Sequence, residues 1–271
     1  MDAQPETTPS ADVQVRVNAE LWAHTDLVEH YTDRALRPPE VMLLVRYREA
    51  LSGRVLELGC GGGRLSGYLL DFAHEFHGLD ISQAMVAHCR RTYPRGSFQE
   101  GDLRDLSRYD KNSFDVVFAP FNVLDVLDDA ERRRVLHDIH RMLTDDGLLM
   151  MSTHNLAYSS RIPKPTQMHS RHPLYLAREL PHLPRRMRNW RRALPLQRMA
   201  SDHAILVDEA HDYSILHYYI GRDAQEQQFA DLDFELLGCL DLDGQLVEAG
   251  RQAESHPELH YVARRASTGG S

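Results

Sequence analysis

Acids, glycines and histidines recur along this chain at the spacings a ligand-binding and proton-moving site needs. The run Val55-Leu56-Glu57-Leu58-Gly59-Cys60-Gly61-Gly62-Gly63-Arg64 is a short apolar stretch with an acid, then a glycine turn, then a helix start. Gly59, Gly61 and Gly63 permit a tight turn and close approach of backbone to a ligand, because glycine has no Cβ and tolerates positive φ. A helix expected over residues 64–73 points its free N–H groups and positive dipole end at the same spot. Asp80 stands 21 residues after Gly59, where an acid hydrogen-bonds ribose hydroxyls. Asp102 and Leu103 close a third apolar stretch, from Phe98 onward. Three histidines are candidates to move a proton: His154 first, at the end of the fifth expected strand, then His211 and His217.

The glycine loop suits two ligand classes, and two details separate them. A dinucleotide fingerprint reads G-x-G-x-x-G, and its last position here holds Arg64, a long charge where close helix–strand packing wants glycine. The spacing reads E-x-G-x-G-x-G instead, from Glu57 to Gly63. An acid before the loop suits a ligand with an amino group and repels a pyrophosphate. This pattern resembles the first motif of class I S-adenosylmethionine (SAM) methyltransferases of small molecules. The resemblance covers about residues 53–123 and the end of the chain. It implies SAM as cofactor, with Glu57, Gly59, Cys60, Gly61 and Gly63 forming the loop and Asp80 holding the ribose. It places Ile81 and Met85 against the adenine, and Asp102 with the Leu103 backbone N–H at the edge of that ring. Arg64 either meets the SAM carboxylate or caps solvent. Ala119 and Phe121 lie beside the reactive sulfonium. Tyr31 resembles an aromatic that folds over SAM, and equally suits a staple on the helix that follows it. The segment Ala119-Pro120-Phe121-Asn122 lacks the paired prolines of amino methyltransferases of nucleic acids, and no Pro-Cys dipeptide supports cytosine C5 chemistry.

The elements that must position these groups follow from the apolar pattern. Strands are expected over 55–58, 74–80, 114–119 and 148–153, and helices over 83–92 and 130–143, with Ser82 as an N-cap. An N-terminal helix spans 39–51. At the C-terminus a helix (222–232), a strand (234–240) and a returning strand (259–264) place one antiparallel strand in the sheet. The expected fold is therefore α/β: Rossmann-like, seven-stranded and mostly parallel with one antiparallel strand, plus an inserted lid after the fifth strand. Expected divisions are a disordered tail (1–12), a helical segment (13–52), a SAM-binding core (53–154), a basic lid and hairpin (155–220), and the end of the core fold (221–271).

Composition agrees. A chain of 271 residues with 42% hydrophobic content can bury one substantial core and carry a lid. No apolar run approaches the ~20 residues that span a bilayer, and the polar start does not read as a signal peptide. Cys60, Cys89 and Cys239 have no paired spacing, so no disulfide or zinc framework is expected, and a reducing, cytoplasmic setting follows. His137 and His140 share a helix face among Glu131-Arg132-Arg133-Arg134, which reads as solvated surface; no metal is expected.

Residues 155–200 hold nine Arg, one Lys and a single acid, Glu179, a charge of +9 in a chain of −9, together with six of its 13 prolines. The prolines limit this segment to short helices, near 173–180 and 185–194. Three readings of it stand side by side: pairing with the acidic core, selection of an anionic or sugar-like acceptor by Arg forks, and contact with RNA or an anionic membrane. The net charge argues against a dedicated nucleic-acid protein. Beyond it, residues 203–207 and 212–220 read as a hairpin over the acceptor, with Tyr213, Ile215, His217 and Tyr219 on one face. The resulting expectation is O-methylation of a small polar or anionic metabolite or sugar. The alternatives are N-methylation, or a non-catalytic SAM-binding protein that contacts RNA or membrane through the basic lid.

Overall fold

A computed structural model describes residues 35–167, 170 and 172–266. Tyr31, the expected tail and most of the expected N-terminal segment lie outside the described residues. The chain begins with α1 (Pro38–Arg46), entered through Pro38 and Pro39 and an N3 acid, Glu40, that accepts from the Arg37 N–H at 2.8 Å. The alternation then starts: β1 (Arg54–Leu58), α2 (Ser66–Phe72), β2 (Glu75–Asp80), α3 (Gln83–Thr92), β3 (Ser97–Glu100), β4 (Phe114–Ala119), α4 (Asp129–Met142) and β5 (Leu143–Asn155). Ser82 caps α3 through its hydroxyl, as expected, and Asp128 with Glu131 forms a reciprocal capping box at α4.

The parallel strands lie in the order β3-β2-β1-β4-β5. Their side chains alternate between two apolar cores. Val55, Val116, Phe118, Leu148 and Met150 face a core shared with α1, α2 and α3. Leu56, Val117, Ala119, Leu149 and Met151 face a second core, with Val135, Leu136 and Ile139 of α4 and Phe229 of α7 (Arg222–Ala230). A strand buried on both faces needs apolar residues at successive positions, which is why β1 and β4 read as continuous hydrophobic runs. β9 (Phe234–Leu240) and β10 (Glu258–Arg265) finish the sheet, with β10 antiparallel to both β5 and β9. This is the expected Rossmann-like architecture with its reversed strand.

Several details differ from expectation: the N-terminal helix ends at Arg46 and not at residue 51, and the sheet has ten strands among the described residues and not seven. β5 begins at Leu143 and carries an irregularity where Asp146 takes a positive φ, so Asp145-Asp146-Gly147 lies inside the strand's span. The lid also adds strands to the sheet. After α5 (Pro173–Glu179) and α6 (Leu183–Ala193) come β6 (Arg198–Met199), β7 (His203–Val207) and β8 (Leu216–Ile220). His154 pairs with Glu258 of β10 and with Tyr219 of β8. A strand residue has two edges, so β8 occupies the edge that β4 leaves free beyond its pairing of Ala119 with Met151. The hairpin is thereby fixed above the carboxyl end of β4. Residues 212–215 lie outside β8, so Tyr213 and Ile215 do not extend the expected strand face of His217 and Tyr219; His211, Asp212 and Tyr213 all have positive φ.

Candidate active site

The carboxyl ends of β1, β2 and β4, the β5–β8 junction and the hairpin turn enclose a cleft of ≈ 370 Å³. Most expected site residues line it. The first loop contributes Glu57, Gly59, Cys60, Gly61 and Arg64; the second, Asp80, Ile81 and Met85; the third, Asp102 and Leu103; the fourth, Phe121. His154, His211 and His217 line its other end. Gly63 and Ala119 do not line it. Ala119 is fully buried in the core beneath. Gly63 has φ +82°, and a Cβ there would lie 2.5 Å from Tyr93 Cε2, so this glycine serves the packing of α2 and α3.

The loop end is an acidic cradle with apolar walls. Burial pushes the Glu57 carboxyl up to about 8, although Ser66 donates a hydrogen bond to it and Arg64 lies nearby. Asp80 accepts from Gly61 N and from Ser82 N, both at 2.8 Å, and so locks the glycine loop to the start of α3. Burial raises its pKa in spite of these bonds. Each carboxylate oxygen retains a second acceptor direction for a ligand hydroxyl. Asp102 is gripped by Arg104, whose Nε lies 3.0 Å from both carboxylate oxygens. Burial raises the Asp102 pKa and the bonds to Arg104 outweigh it, leaving the group below the usual range.

Arg64 lines the cleft and is held there by an acid of the N-terminal helix, not turned to solvent. Its guanidinium forks onto Glu40 of α1, with 2.7 Å from Nη1 to Oε2, and lies 4.7 Å above the Phe121 ring. Arg37 stacks on the same ring at 4.2 Å and pairs with Glu258. These ion pairs tie the N-terminal helix to the mouth of the cleft.

The other end holds two histidine–carboxylate pairs. Asp125 Oδ2 accepts from His154 N and receives His154 Nδ1, both at 2.7 Å. Its Oδ1 accepts from Arg132 Nη1 and from the Thr153 hydroxyl, both at 2.6 Å. Asp125 and Arg132 are each 0% exposed. Gln225, Gln228 and Thr153 accept three further Arg132 hydrogens, and the Tyr218 ring lies beneath its guanidinium. The buried charge is therefore paired and hydrogen-bonded at all three of its nitrogens. With Nδ1 turned to Asp125, His154 presents Nε2 to the cleft. Burial lowers the His154 pKa, but the hydrogen bond and charge of Asp125, with Asp208 and Glu258, outweigh that and raise it above the ordinary value.

The second pair is stacked on the first. His217 Nδ1 lies 2.7 Å from Asp208 Oδ2, which also accepts from Tyr219 Oη at 2.7 Å. The two imidazole rings are 4.8 Å apart, and His154 Nε2 is 4.0 Å from Asp208 Oδ2. Burial disfavours the Asp208 anion, yet its histidine neighbours hold its pKa well below the usual carboxylate range. Asn122, at φ +57°, donates to Glu258 at 3.1 Å and lies 3.4 Å from His154 Nε2.

The sequence offered His154 and His217 but not their partners. Asp125 sits among Asp128 and Asp129 with nothing to single it out, and Arg132 lies in a charged run that reads as solvated surface. Only the fold shows that Arg132 points inward. His137 and His140 do not join this cluster.

Residues 55–147 match the family model described as "Methyltransferase domain". A probable S-adenosylmethionine-dependent methyltransferase of Mycolicibacterium smegmatis is 37% identical over 41% of this chain and 42% of its own length. A malonyl-[acyl-carrier protein] O-methyltransferase of Enterobacter lignolyticus is 31% identical over 41% of this chain and 43% of its own. The chain thus spans about two-fifths of the length of these curated relatives. Among solved structures, the Burkholderia thailandensis 1,6-didemethyltoxoflavin-N1-methyltransferase, with its substrate and S-adenosylhomocysteine bound, superposes with a TM-score of 0.60 at 16% identity. That match covers 98% of this chain and 94% of the other.

Proposed function

We propose that this chain, whose residues 55–147 match a methyltransferase domain, is a class I SAM-dependent methyltransferase that O-methylates a small polar or anionic hydroxylated metabolite, sugars included. The observation that carries the hydroxyl acceptor is the Asp125–His154 pair, with Nδ1 held at 2.7 Å and Nε2 facing the cleft.

The cleft fits SAM on the chemistry of its donors. Glu57 offers a carboxylate to the α-amino group, Asp80 offers lone pairs to the ribose, and Ile81, Met85 and Leu103 supply apolar walls for the adenine. When bound, SAM supplies a methyl group activated by its sulfonium. The protein's work is then to orient the acceptor, exclude water and take one proton. His154 Nε2 takes the proton from the acceptor hydroxyl. Asp125 fixes the tautomer and stabilises the imidazolium, as a carboxylate does behind a catalytic histidine. Arg132 and the glutamines hold Asp125 in place. His211, on the hairpin turn, closes the acceptor end. The roles of these residues, and of 155–220 as a lid, belong to this proposal.

N-methylation is the second reading. The Asp208 carboxylate, 4.0 Å from His154 Nε2, sets a negative charge beside the acceptor end that favours an amino acceptor, and an amine with a free lone pair needs no strong base. The test combines calorimetric titration of S-adenosylhomocysteine, with NADH as control, and methyl transfer from SAM to hydroxyl and amino acceptor panels. Binding of the thioether, with transfer to a hydroxyl that His154→Gln abolishes, is the expected result. Transfer to amines that survives His154→Gln selects the second reading. Binding of NADH alone overturns both.

A further inference from the structure

The exposed apolar side chains are unevenly placed. Twelve large ones are exposed among the described residues, and five of them, Leu174, Leu180, Leu194, Leu196 and Met199, fall in the lid. Leu174 and Met199 are the most open of all, at 77% and 70%. They flank α6, whose inward face carries Trp190 and Ala193 against Ile205, Val207 and Tyr218. The opposite face carries Arg185, Arg188 and Arg192, spaced three and four apart, with Arg191 beside them, and all four are exposed. Asp212 engages Arg185 at 3.4 Å, while Arg186 is turned in toward Asp212 and Glu179. Internal pairing therefore accounts for part of the lid's charge and leaves the outer stripe presented to solvent.

We infer that the outer face of α6 and its flanking leucines dock on an anionic lipid bilayer. Guanidinium groups of α6 meet headgroup phosphates, and the exposed apolar side chains that flank the helix enter the acyl boundary. Nucleic acid would use the same charge, but single strands are held on exposed aromatic platforms. The aromatic of α6, Trp190, packs inward, and exposed leucines gain nothing on a phosphate backbone. The chain outside residues 155–200 is net acidic, so an anionic surface repels the core and orients the lid toward itself.

This face connects to the cleft. Asn189 Nδ2 donates to the Asp212 carbonyl and Arg186 Nε to its carboxylate, both at 3.0 Å. Ala210 and His211, on the same turn, line the acceptor end. The helix α6 and the turn it holds thus stand between a docked bilayer and the acceptor end of the cleft, which, on the proposed function, points to a membrane-borne amphiphile with a polar head as the acceptor.

Co-sedimentation of the full chain with phosphatidylcholine vesicles, with and without phosphatidylglycerol, tests the docking without any knowledge of the acceptor. Pelleting with the anionic vesicles and about tenfold weaker pelleting with the neutral ones is expected. The triple variant R188E/R191E/R192E should abolish pelleting and L194S/L196S should weaken it. Both variants should keep the thermal shift given by S-adenosylhomocysteine, which reports an intact core. No pelleting with anionic vesicles overturns the inference. So does pelleting unchanged by the charge reversals, or binding of poly(U) RNA in preference to vesicles.

Discussion

At the scale of single residues, the decisive feature is an imidazole whose two nitrogens have different neighbours. His154 Nδ1 is committed to a fully buried acid, and Nε2, 3.4 Å from the Asn122 amide, is the nitrogen turned away from it. A base in this arrangement works only when Nε2 is unprotonated, and its pKa lies above the ordinary histidine value. The rate should therefore rise with pH along a limb displaced upward from the usual histidine range. Asp125→Asn removes the charge that raises the pKa, so that limb should move down while the maximal rate falls. His154→Gln should cost about 10²- to 10⁴-fold in kcat, the usual worth of a general base, with S-adenosylhomocysteine affinity unchanged by calorimetry. Asp80 acts at the other end. Its carboxylate fastens the glycine loop through Gly61 N, so Asp80→Ala should weaken thioether binding by tenfold or more, a loss of at least about 1.4 kcal/mol.

At the scale of elements, what was legible in the sequence is what local physics decides. The strand at residues 114–119, the helix at 83–92 with its Ser82 cap and the strand at 234–240 follow from apolar runs, caps and turns, and the structure has them at those bounds. The glycine loop and its acids were legible because a ligand cradle constrains residue types at short spacing. The partners across the fold were not. Asp125 and Arg132 are joined by the packing of α4, α7 and β8 around them, and no sequence window holds all three elements. The hairpin was legible as two apolar runs, but its pairing onto the free edge of β5 depends on where β4 ends. Replacing Arg132 by Met leaves Asp125 buried without its cation and should cost about 3–5 kcal/mol in denaturant unfolding. Gly63→Ala forces a Cβ to within 2.5 Å of Tyr93 at φ +82°. It should lower stability by about 1–3 kcal/mol while touching no ligand, so the fraction of protein that stays folded should bind S-adenosylhomocysteine with ordinary affinity.

At the scale of the whole molecule, the cleft gathers acids of opposite tendency, and this shapes how stability and binding depend on pH. Glu57 has a folded pKa near 8 against an ordinary 4.5, because burial disfavours its charge. Its contribution to stability is complete below the ordinary value and is lost as pH rises through the folded one. Asp208 and Glu258 are shifted the other way. Burial opposes their charge, but His217 and His154 around Asp208, and His260 and Arg37 around Glu258, hold both pKa values far down. Their contribution is present above the ordinary carboxylate range and is lost as pH falls toward the folded values. The unliganded protein should therefore be most stable between these limits, near pH 5 to 6, and Glu57→Gln should flatten the alkaline side of the melting curve alone. A ligand that brings an ammonium group to Glu57 reverses that residue's preference, since the neighbouring positive charge favours the carboxylate. Binding of S-adenosylhomocysteine near neutral pH should then release a proton from Glu57. Calorimetry in buffers of different ionisation enthalpy reads this as a slope in the apparent binding heat. The slope should vanish in Glu57→Gln and persist in His154→Gln. A slope that survives in Glu57→Gln would place the released proton elsewhere in the cleft and remove Glu57 as the partner of the amino group.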